Sequence, residues 1–149
     1  MSREAEQEYH MQRYKKLRPN LFSADLHYGK IDIKPDHYFS CFFIVQHTDD
    51  REFIKEQMIQ LLLSGCRWFD FYGDKGAVWE ASLEEAHRIV LPKNSVENTI
   101  RLNRWDTIEG FVAALNKSIS MRPIVPCDHF LLYDDMKKYE AVVECMVRS

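Results

Sequence analysis

At 149 residues the chain is long enough to bury one sizeable core and too short for two. With 46% hydrophobic and 29% charged residues it falls outside the fibrous and strongly disordered classes, and its longest apolar stretches, Phe39 to Val45 and Met58 to Leu63, are far shorter than a bilayer-crossing helix. The net charge is −3, and Lys and Arg outnumber Asp and Glu only near the N-terminus, so the body of the chain carries no basic stripe and nucleic acid is not an expected partner.

In chain order, an amphipathic helix is predicted over residues 1–18, with Tyr9, Arg13 and Leu17 on one stripe and Pro19 beyond it. Residues 20–36 read as a connector or edge strand, with alternation at Lys30 to Lys34. Tyr38 to Gln46 is a near-continuous aromatic and apolar run, as in a strand covered on both faces. A helix from Arg51 to Ser64 follows, stopped by Gly65, and then a strand from Arg67 to Tyr72. The next helix is placed at Leu83 to Val90, opened by a Ser82/Glu85 capping box, and a short strand at Thr99 to Leu102. Asp106 with Glu109 repeats the box before a helix from Ile108 to Ser118; a strand at Asp128 to Tyr133 and a helix at Met136 to Val147 complete the pattern. The expected fold is a single α/β domain over 1–149 with its core in 38–147. It is a three-layer sandwich with a mostly parallel, four- to five-stranded open sheet flanked by helices, plus the N-terminal helix.

In such sheets ligands bind beyond the carboxyl ends of the strands. Those loops here hold Asp49 and Asp50, then Asp74, then Trp105 and Asp106, then Asp134 and Asp135, with Trp79 close by. Helix capping accounts for one aspartate per loop, because a carboxylate accepts from the orphan N–H groups of a helix start. Adjacent pairs leave acids over. They suit either a Mg²⁺ site for phosphoryl transfer or nucleotide processing, using Asp49, Asp50 and Asp134, or an acidic surface with Trp anchors for a basic partner. Trp68, inside a strand, reads as core.

Other chemistry finds little footing. Phosphate-cradling glycine motifs and a Gly-x-Ser-x-Gly elbow are absent from the sequence, as is any Cys-x-x-Cys pair, and the histidines lack metal-ligand spacing. Cys41, Cys66, Cys127 and Cys145 are expected to be free thiols in a reducing cytoplasm, with no metal and no cofactor. Cys127 and His129 are expected to point apart, and His47 and His87 to be surface residues. The first 16 residues lack a secretory pattern, which again points to the cytoplasm. The mixed charge and apolar stripe of the N-terminal helix would also suit pairing with another chain.

The string Gly65 to Asp74, then Trp79-Glu80, then Arg104-Trp105-Asp106-Thr107 ahead of a helix, resembles a family of small, uncharacterised bacterial α/β proteins. The resemblance covers Tyr38 to Tyr133 and departs at Lys75 to Val78, where a further polar or cysteine residue would stand. It carries no activity. It implies the setting of accessory or immunity proteins encoded beside toxins. The resulting expectation is a non-enzymatic module that neutralises a basic toxin or effector domain through Asp49, Asp50, Asp74, Trp79, Trp105, Asp106, Asp134 and Asp135.

Overall fold

The computed structural model describes residues 14–33, 35, 37–90, 99–121 and 127–148. Over these residues the chain runs β1 (Lys15–Arg18), β2 (Leu21–Asp25), a 3-10 turn (Leu26–Tyr28), β3 (Phe39–Ile44), α1 (Arg51–Ser64), β4 (Cys66–Tyr72), α2 (Gly76–Val90), β5 (Arg101–Trp105), α3 (Ile108–Ser120), β6 (His129–Tyr133) and α4 (Met136–Arg148). Sheet order is β1-β2-β6-β3-β4-β5, with β1 antiparallel to β2 and every other neighbouring pair parallel.

Strand periodicity builds the layers. Every residue of β3 and β6 is buried, so these central strands have no solvent face. Cys41, Phe43 and Val45 pack on the side of α1 and α2 with Ile54, Met58, Leu62, Trp79 and Leu83. Phe42 and Ile44 pack on the other side with Phe111, Val112 and Leu115 of α3 and Tyr139, Val142 and Met146 of α4. Successive strand residues face opposite ways, which makes one chain segment the floor of two cores. No helix among the described residues is long and apolar enough to cross a membrane.

The α/β sandwich is as expected, but the described residues form six strands. Residues 1–13 of the predicted N-terminal helix lie outside the described residues, while Lys15–Arg18 is a strand rather than the helix end. Pro19 and Asn20 turn it into β2, and Leu21 and Ala24 are buried as β2 adds alongside β6. Helix propensity is a weak prior, and pairing of Lys15–Arg18 with the largely buried β2 overrides it. The alternation at Lys30 forms no strand over 30–33.

Two predicted caps also move. Helix α2 begins at Gly76, and Ser82 sits inside it, buried, with its hydroxyl donating to the Val78 carbonyl at 2.9 Å. Trp79, Leu83 and Ala86 give that helix its buried stripe, so apolar spacing outweighs the capping signature. Helix α3 is capped by Thr107, which accepts from the Gly110 N–H at 3.1 Å, in place of Asp106.

Candidate functional site

Strands β3 and β6 are neighbours, yet β3 feeds α1 on one face and β6 feeds α4 on the other. Their carboxyl ends form the switch point at which open sheets bind ligands. Here the protein fills it itself. Asp134, 2% exposed, accepts from the backbone N–H of Gln46 at 2.7 Å, His47 at 3.0 Å and Thr48 at 2.8 Å. Three N–H groups that could cradle an outside anion are satisfied by an internal carboxylate.

The remaining acids at this edge have local partners. Asp50 caps α1 through Phe53 N–H, and Asp135 accepts from Lys138 N–H and contacts His47. Those contacts, the Lys138 N–H first, hold the Asp135 carboxyl below its ordinary range. Asp49 lies 3.5 Å from Lys75, and Asp74 accepts from the Gln46 side chain. Asp106 is exposed. Trp79 is fully buried, with its indole N–H donating to the Thr48 carbonyl. Asp49, Asp50, Asp74, Asp106 and Asp135 thus share an edge with a paired or capping role for most of them, whereas Trp79 and Asp134 belong to the interior. Among the described residues no three His, Cys, Asp or Glu side chains are placed to hold one metal ion.

A cavity of about 540 Å³ opens elsewhere, between α3 and the β3, β4, β5 and β6 side of the sheet. Its origin is legible in two elements. Helix α3 turns Ala113, Ala114 and Ser118 towards it, a stripe too small to fill the space, with Gly110 packed against the Trp105 ring, while Phe111, Val112 and Leu115 go to the core. The sheet answers with polar and aromatic groups in register: His129, Ser40, Trp68 and Arg101 form one row, and Asp70 and Asn103 lie in the next.

Asp70 stands at its floor, 6% exposed. The Trp105 indole N–H donates to its Oδ1 at 2.8 Å, and the Asn103 side chain also hydrogen-bonds it. Burial nonetheless raises its carboxyl above the ordinary range, outweighing those two bonds. Ser40 Oγ and His129 Nδ1 share a hydrogen bond in the wall. Cys127 and His129 line the same cavity rather than pointing apart, because residues two apart on an extended chain share a face. The Cys127 thiol is pushed up to about 12, first by burial and then by Cys66 and Asp128, so it is no thiolate nucleophile at neutral pH.

Of the acidic-edge residues only Trp105 reaches this cavity, and Asp70, Trp68, Ser40 and Asn103 were not singled out by sequence as site residues. One signal was present: a carboxylate between Phe69 and Phe71, in a strand otherwise built for burial, requires partners. No family model matches the chain, and no curated protein matches it.

Proposed function

We propose that the chain is a non-enzymatic binding domain whose site is the cavity between α3 and strands β4 and β5, taking a small molecule with a flat aromatic body. The observation that carries this reading is the stripe Ala113, Ala114 and Ser118 lying over Trp68, Trp105 and a buried carboxyl. A concave, mainly apolar space with a few convergent polar groups and a shifted acid is the common form of a ligand site.

Tryptophan fluorescence against a set of flat aromatic compounds tests it. Binders should quench Trp68 and Trp105, and Ala114→Phe, which fills the space, should abolish quenching while leaving the circular dichroism unchanged. Failure of every compound to quench the wild-type protein would overturn the reading.

A protein partner such as a basic toxin domain is the second reading. It is favoured by the exposure of Asp49, Asp50, Asp74 and Asp106 along one edge. A stoichiometric complex that survives Ala114→Phe and is lost on charge reversal at Asp49 and Asp74 would support it.

A further inference from the structure

Building on the cavity reading above, we propose that the ligand is an amino-oxo heteroaromatic ring of the guanine or pterin type, with two adjacent N–H donors and an anionic tail. Three features of the cavity each select one part of that molecule.

The donor edge is selected by Asp70. An ionised carboxylate only accepts, and it offers about four acceptor positions. Trp105 and Asn103 fill two of these, which leaves room for a parallel pair of donors from a ring edge. Guanine and pterin present such a pair. Adenine instead presents a donor beside an acceptor, and the acceptor would face the carboxylate.

The flat ring is selected by Trp68, half-buried in the wall, since aromatic faces stack on heteroaromatic rings, while Trp105, whose ring packs against Gly110, closes the end of the cavity. The anionic tail is selected by Arg101 on β5 and Lys117 on α3. These exposed cations flank the cavity from opposite walls, and neither has an acidic partner among the described residues. Arg101 lies two residues along β5 from Asn103, the register partner of Asp70, so its backbone stands about 7 Å along the strand from that pair. A sugar or short linker bridges that separation.

The test titrates wild-type protein with GMP, guanosine, AMP, pterin-6-carboxylate and inorganic phosphate, read by tryptophan quenching and calorimetry. Either GMP or pterin-6-carboxylate should bind at least about tenfold tighter than AMP, and the tighter of the two identifies the source of the ring. Asp70→Asn should erase the preference over AMP. Arg101→Gln with Lys117→Gln, both surface changes that leave the fold intact, should bring GMP down to the affinity of guanosine. If neither amino-oxo probe outbinds AMP while a neutral flat compound still quenches, this ligand class is overturned and the cavity reading stands. If nothing quenches, both fail; if phosphate alone binds as tightly as GMP, the ring has no part and the proposal fails.

Discussion

Trp105 and Asp70 are joined across neighbouring strands by an indole N–H to carboxylate bond of 2.8 Å, which ties the end of β5 to the floor of the cavity. This bond is one of two that hold the Asp70 carboxyl down against the upward push of burial. Trp105→Phe keeps an aromatic ring and removes the donor. It should lower stability by about 2 kcal/mol, the scale of a lost hydrogen bond to a charged group, and raise the Asp70 pKa further. Denaturant unfolding reads the first effect and a carboxyl NMR titration the second. An unmoved titration would deny the bond its electrostatic role.

Asp70 also sets a sign for the pH dependence of folding. Its folded pKa lies above the ordinary 3.8, so the folded state keeps this proton to higher pH than the unfolded chain. The stability it contributes is present below the ordinary value and lost as pH rises through the folded value. Asp70→Asn should remove that loss. Thermal unfolding of both proteins from about pH 3 to 7 should show the variant gaining on the wild type as pH rises. Parallel curves would contradict the assignment.

Removing the internal anion at the switch point should be costly. Asp134→Asn offers one accepting oxygen and places an NH₂ group against backbone donors at Gln46, His47 and Thr48. A loss of about 3 kcal/mol is expected by urea denaturation, since buried N–H groups are left without acceptors. Little change would mean that the loop repacks without this carboxylate.

The turn after β4 has no room for a side chain. Gly73 has φ +119°, and a Cβ there would stand 2.5 Å from the Val45 carbonyl oxygen. Backbone strain and the clash act together, so Gly73→Ala should destabilise by about 2 kcal/mol or more, measured in the same way. Gly29→Ala is the control: φ is +101° but a Cβ meets nothing within 4 Å, so the two variants separate strain from collision.

Thiol labelling should be selective. Cys41, Cys66 and Cys127 are buried, and burial raises Cys41 as well as Cys127, whereas Cys145 is partly exposed on α4. Native protein at about pH 8 should react at one thiol per chain, and Cys145→Ser should abolish that reaction. Rapid labelling at Cys127 would show that its thiol is reached from the cavity despite its burial.

By itself the sequence determined the alternation of strands and helices from Phe39 onward, because the aromatic run Phe39 to Ile44 is too short for a helix and the stripe Ile54, Met58, Leu61 and Leu62 follows the helical period. It also marked Gly65 as the stop of α1, since a glycine solves the backbone problem of a helix end locally, but it left open which of Asp49 and Asp50 caps the start, a role the structure gives to Asp50. Tertiary structure alone decided the rest. The β1–β2 hairpin holds its edge position only because β6 lies beside β2, and β6 comes more than a hundred residues later in the chain. Asp134 became a loop clamp, and Trp79 a core residue, through bonds to Thr48 that no local pattern encodes. The cavity arose the same way: Ala113 and Ala114 are unremarkable helix residues until the sheet order sets them over Asp70 and Trp68, and the space between is a property of two surfaces meeting rather than of either segment.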